Sequence, residues 1–255
     1  MERHRESGRQ LAGEIRLGVT MKHNLACVVR LLLASLVAVP HASSQMQKVT
    51  GHTARQTAVS ADKIWADLME GNRRFVGGKP KAPDLVSLRR SLAESQHPKA
   101  IVLSCSDSRV PPEILFDQSL GDLFVVRAAG NIADAIGLGS MEYAFEHLGS
   151  TVLVVLGHTK CGAVTAACSG DKMPTPNLQA MVDKIEPAVR KVKDSAKGDS
   201  FVEMAIQENV HQSVRDVLAH SEVLKRGKDQ GKLTVFEGEY HLETGEVVRL
   251  DEVKR

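Results

Sequence analysis

Aromatic side chains make up only 4% of the 255 residues, one Trp, two Tyr and six Phe, so the core has to be mainly aliphatic. No basic stripe with interleaved aromatics runs along the chain, and no nucleic-acid partner is expected. The N-terminal apolar stretch, Leu31 to Val39, is well short of the ~20 residues a spanning helix needs. No stable membrane insertion is expected from it. Cysteine is scarce, and neither an even, spaced set suited to disulfides nor a local Cys-x-x-Cys pair is present in the body of the chain. Internal repeats, low-complexity tracts and linkers are missing from 60–255, which makes one domain the economical reading.

What is present starts with an uneven charge distribution. Residues 1–44 hold six of the 33 basic and three of the 31 acidic side chains, leaving 27 against 28, a net of −1, for 45–255. Within that basic start, Met21-Lys22-His23, the run Leu31 to Val39 and the small residues Ala42-Ser43-Ser44 have the order of a secretory signal peptide cleaved before Gln45. Residues 1–20 read as an extension ahead of the true start, 21–44 as the signal peptide and 45–59 as a flexible lead-in. A periplasmic or secreted protein is expected. Cys27 would leave with the peptide, and Cys168 reads as a small buried hydrophobe near a helix end.

Ser60 is a candidate N-cap for a helix with Ile64, Trp65, Leu68 and Phe75 on one face, ended by Gly77-Gly78-Lys79-Pro80. A short second helix runs through Leu85, Leu88 and Leu92, completing an N-terminal helical arm. Three apolar runs follow, Ala100 to Leu103, Leu123 to Val126 and Thr151 to Leu156, without polar alternation, as in strands buried on both faces of a parallel sheet. Helical patterns cover Gly139–Leu148, Leu178–Val192 and Phe201–Leu218. Leu233–Tyr240 and Val247–Leu250 around Thr244-Gly245 read as a terminal hairpin or edge strand. The fold class is α/β, a mainly parallel central sheet flanked by helices.

Two segments carry chemistry: Cys105-Ser106-Asp107-Ser108-Arg109-Val110 and His158-Thr159-Lys160-Cys161-Gly162. Each directly follows an apolar strand run, and ligands gather at the carboxyl ends of strands in open α/β sheets. Two thiolates and an imidazole suit a zinc ion with one position open, the arrangement of catalytic sites, whereas structural sites close with four protein ligands. Gly162 allows close backbone approach beside Cys161. Asp107 and Arg109 next to the first thiolate supply an acid and its ion-pair partner, which a purely structural zinc site does not need.

These segments resemble those of the beta-class carbonic anhydrases. The likeness continues through Phe124-Val125-Val126-Arg127-Ala128-Ala129-Gly130-Asn131, Glu142-Tyr143-Ala144 and the Gln96-x-Pro98 approach to the first strand, over roughly residues 60 to 250. It implies a catalytic domain over 60–255 with one zinc per chain held by Cys105, His158 and Cys161. It also implies reversible hydration of carbon dioxide to bicarbonate and a proton by zinc-bound hydroxide. Asp107 would accept the hydroxide's hydrogen bond and Arg109 would orient Asp107. In some members this aspartate becomes a fourth metal ligand at low pH. Gln96, Phe124, Ala129, Tyr143 and Gly162 would bind substrate or line its pocket, part of which comes across the interface of a homodimer or dimer-based oligomer. A carbonyl sulfide or carbon disulfide hydrolase on the same fold, a non-catalytic zinc or bicarbonate-binding module, and a thiol redox protein are the competing readings.

Overall fold

Three aliphatic runs become parallel strands with one common carboxyl edge. The computed structural model describes residues 59–195 and 197–250, so the expected extension, signal peptide and nearly all of the lead-in lie outside the described residues. The strands are β1 (Ala100–Ser104), β2 (Leu123–Arg127), β3 (Val152–His158), β4 (Thr234–Tyr240) and β5 (Val247–Arg249), in the order β2-β1-β3-β4-β5. The first four are parallel and β5 runs antiparallel to β4.

Every residue of β1 and β3 is buried, as continuous apolar sequence requires of strands covered on both faces. The run at β2 is equally apolar but forms the sheet edge and stays half-buried, because strand order leaves it a neighbour on one side only. The final segment forms the expected antiparallel hairpin, with its first strand inside the sheet. β4 is interior, paired along all seven residues with β3, and β5 alone forms the opposite edge.

Helices cover both faces. On one, α1 (Ala61–Val76), capped by Ser60, packs Ile64, Trp65 and Leu68 against Val102, Val154 and Phe236. On the other, α4 (Ala135–Glu146) and α7 (Asp199–His220) pack Met141, Ala144, Val210, Val214 and Val217 against Ile101, Leu103, Leu153 and Val155. The alternation of even and odd strand positions between the two layers is the period-2 pleat. A third cluster lies around Cys105 and Cys161, formed by α5 (Gly162–Ser169), α6 (Pro176–Val192) and the start of α7. Cys168 is half-buried against it, and burial pushes its thiol pKa up.

The remaining helices are α2 (Leu85–Ser91), α3 (Pro112–Leu115) and α8 (Glu222–Asp229). No residue of α2 is buried, so its leucines do not serve this chain's core. Among the described residues no helix is long and apolar enough to cross a membrane.

Candidate metal centre

β1 and β3 are neighbours and parallel, so the residues that end them meet at one edge of the sheet. Cys105 follows β1 directly, and His158 is the last residue of β3. Cys161 is the N-cap of α5, where Lys160 turns the chain with a left-handed φ of 56°. The two Sγ atoms and a ring nitrogen of His158 all lie within 4.8 Å of one another, and all three residues are buried.

The imidazole is set for ligation. Its Nδ1 lies 2.9 Å from the Thr159 carbonyl, an acceptor only, so Nδ1 carries the proton and the lone pair is on Nε2. Nε2 is fully buried and has no hydrogen-bond partner, a costly state for a polar atom that a cation would relieve. Thr159 is itself braced: its N–H donates to the Tyr240 carbonyl (3.0 Å), and its Oγ1 accepts from the Leu242 N–H (3.0 Å).

The thiols differ in acidity. A hydrogen bond from Cys161 lowers the pKa of Cys105 against the opposing effect of burial, with His158 and the Gly130 N–H adding to the shift. Sharing that proton with Cys105, together with burial, raises Cys161, while the N–H groups of Val164 and Ala163 at the start of α5 pull it down. Two thiols buried this close together disfavour a second negative charge, which a cation between them would offset, so the donor set fits zinc.

Asp107 stands beside this cluster, its Oδ2 4.0 Å from His158 Nε2. The Arg109 guanidinium grips it with two bonds, Nε to Oδ1 (2.9 Å) and Nη2 to Oδ2 (2.7 Å), and the Arg109 N–H adds a third to Oδ1 (2.9 Å). The side-chain bond from Arg109 holds the carboxyl far below the usual carboxylate range. Asp107 is therefore a fixed anion and, in this Arg-paired position, an acceptor beside the site.

The contacts of two residues escaped sequence reasoning. Arg127, at the end of β2, donates from Nε to the Cys105 carbonyl (3.0 Å) and from Nη2 to the Asp107 carbonyl (2.6 Å), fixing the loop that carries both. The Gly130 N–H lies 3.3 Å from Cys105 Sγ. Arg127 ends an apolar run parallel to β1, and that placement was the available signal.

The other expected site residues are distributed differently. Ala129 opens the short 3-10 turn Ala129–Asn131, directly before Gly130, and so lies by the cluster. A Cβ at Gly162 would meet nothing within 4 Å among the described residues of this chain. Gln96 is exposed and precedes the amino end of β1, whereas Cys105 follows its carboxyl end. At about 3.3 Å per residue the strand alone puts on the order of 16 Å between those ends. Phe124 and Tyr143 pack together with ring centroids 6.4 Å apart, but Tyr143 is 49% exposed on α4. Within one chain, Gln96 does not join the thiol–imidazole cluster, and Tyr143 faces outward.

A parallel α/β sheet with a buried Cys–His–Cys donor set at its carboxyl edge is the scaffold of a metalloenzyme, and comparison gives the class. The family model for carbonic anhydrase matches residues 100–247. Carbonic anhydrase 2 of Mycobacterium tuberculosis is 39% identical over 193 residues, 74% of this chain and 92% of that protein. The carbonic anhydrase of Mycolicibacterium smegmatis is 38% identical over 72% of this chain and 90% of its own. The solved structure of the beta-carbonic anhydrase CcaA superposes with a TM-score of 0.60 at 28% identity, covering 74% of this chain and 96% of that one. The chain belongs to the beta-class carbonic anhydrases, and it is an enzyme of that class.

Proposed function

We propose that this chain binds one zinc through Cys105, His158 and Cys161 and hydrates carbon dioxide reversibly to bicarbonate and a proton. One observation carries the reading: a fully buried imidazole nitrogen without a hydrogen-bond partner faces two thiols, with an arginine-locked carboxylate beside it. When bound, zinc supplies the Lewis acidity that makes water a nucleophile near neutral pH. The protein's own residues supply direction. Asp107, unable to donate, accepts the hydrogen bond of the attacking water at Oδ2 and turns the oxygen lone pair toward the substrate carbon. Arg109 keeps Asp107 ionised and fixed while this happens.

The pocket is completed by a second copy in this reading. Gln96 and Tyr143 are exposed on the lone chain and reach a metal centre only from a partner subunit, with Phe124 packed behind Tyr143. Apolar residues turned to solvent support a homodimer: Leu85 and Val86 on the otherwise unburied α2, and Ile136 on α4, which is 80% exposed. Gln96, Phe124, Ala129, Tyr143 and Gly162 would together line a small, largely apolar pocket suited to carbon dioxide. Residues 21–44 would direct export, and intact-mass measurement of the native N-terminus checks this; a mature chain that begins well before Gln45 would contradict it.

The test is stopped-flow hydration on zinc-quantified protein, wild type against Asp107→Ala, with carbonyl sulfide hydrolysis measured in parallel. Fast hydration that falls about 10²–10⁴-fold in the variant is expected. Equal rates in the two proteins, or faster turnover of carbonyl sulfide than of carbon dioxide, would overturn the reading.

A further inference from the structure

The Gly130 amide that touches Cys105 belongs to a turn the backbone does not favour. Gly130 has φ 71° and Asn131 φ 46°, two successive left-handed residues, the second not a glycine. A Cβ on Gly130 would lie 2.7 Å from Ile185 Cδ1 and 3.2 Å from Ala163 Cβ, so α6 and α5 press on the turn from the other side.

α7 holds it in place. Asn209 donates from Nδ2 to the Gly130 carbonyl at 2.7 Å, a buried bond between residues 79 positions apart. One turn along the helix, Ser213 Oγ accepts from Asn131 Nδ2 (3.2 Å) and donates to the Asn209 carbonyl (2.9 Å). Asn131, Asn209 and Ser213 are all buried. Asn209 also carries a cost, because its Oδ1 is buried without a partner. An apolar residue would avoid that cost, but it would leave the Gly130 carbonyl without its donor. Asn209 thus holds the carbonyl of the same residue whose N–H meets the sulfur, the two groups joined through the Gly130 Cα.

We propose that Asn209 is a positioning residue for the metal centre, holding Gly130 by its carbonyl so that the N–H of the same residue stays on Cys105 Sγ and sets that ligand's direction and donor strength. This rests on the reading of Cys105, His158 and Cys161 as metal ligands. Groups that orient first ligands typically change metal affinity 10–100-fold when removed. Asn209→Leu deletes the donor and keeps a side chain of similar branched shape, though a larger one.

The experiment loads wild type, Asn209→Leu and Val217→Ala with cobalt(II), and reads the thiolate-to-cobalt charge-transfer band and the affinity by chelator competition. Val217 is fully buried on the same helix, two turns farther along, and its truncation controls for simple loss of packing. The expected result is a shifted band and roughly 10–100-fold weaker binding in Asn209→Leu. Val217→Ala should lose thermal stability and keep the wild-type band and affinity. An Asn209→Leu protein that is less stable but has the wild-type band and affinity would overturn the proposal and leave the metal reading intact. A wild type without any thiolate-to-cobalt band would overturn both. If Asn209→Leu does not fold, Asn209→Ala gives the same two readouts.

Discussion

The pair formed by Asp107 and Arg109 shows how one contact can set both geometry and charge. A lysine at 109 would keep the positive charge but lose the fork that engages both carboxylate oxygens. Arg109→Lys should lower the hydration rate constant by about tenfold or more. It should also move the acid limb of the rate profile to higher pH. The sign follows from the shift: Arg109 holds Asp107 far below the usual range, so weakening the pair raises it, and the ionised form is lost earlier on acidification. A stopped-flow pH series checks both effects. Glu239 behaves in the opposite sense. Burial pushes its carboxyl up, against a hydrogen bond from Gln207, so the folded state binds the proton more tightly than the unfolded one. Its cost to stability is absent below the ordinary value of 4.5 and grows as pH rises through it toward the folded value. Glu239→Gln should therefore be more stable than wild type at pH 7, with the difference closing below pH 4.5, as measured by denaturant midpoints.

At the scale of elements, β3 and α7 meet closely one residue before His158. A Cβ at Gly157 would lie 2.5 Å from Val210 Cγ2, so Gly157→Ala should cost ~1–3 kcal/mol in denaturant unfolding. Val210→Ala should recover part of that loss in the Gly157→Ala background while destabilising the wild type, a coupling that a double-mutant cycle measures. Much of this framework was legible in the sequence. The runs at β1 and β3 were recognisable because a strand buried on both faces cannot alternate, and the helix after Ser60 because its apolar residues keep one face. Strand order was not legible. β2 is as apolar as β1 yet lies at the edge, and β4 alternates yet lies inside, where Glu237 and Glu239 find His211 and Gln207 on α7. The Cys105–His158–Cys161 cluster was readable because its residues end a strand or lie just after one, in two short local motifs. Arg127 and Asn209 were not, since their roles depend on main-chain groups brought near by the fold.

At the scale of the whole molecule, the proposed reading has a second copy complete the pocket at the Cys105–His158–Cys161 site. Sedimentation should find a dimer or a multiple of it. Ile136→Glu, at an exposed α4 position outside the core, should weaken assembly with little change in the stability of the chain itself. The separated chains should hydrate carbon dioxide more slowly, and full activity in a monomer would remove the shared pocket. Chelation should lower the melting temperature, because a ligand that binds only the folded chain stabilises it. The most direct test of the account is a zinc titration of the metal-free protein followed by carbon dioxide hydration. The rate should rise linearly and break at one zinc per chain, and it should be abolished when His158 is replaced by alanine. Stoichiometric zinc binding without hydration at any pH would contradict it.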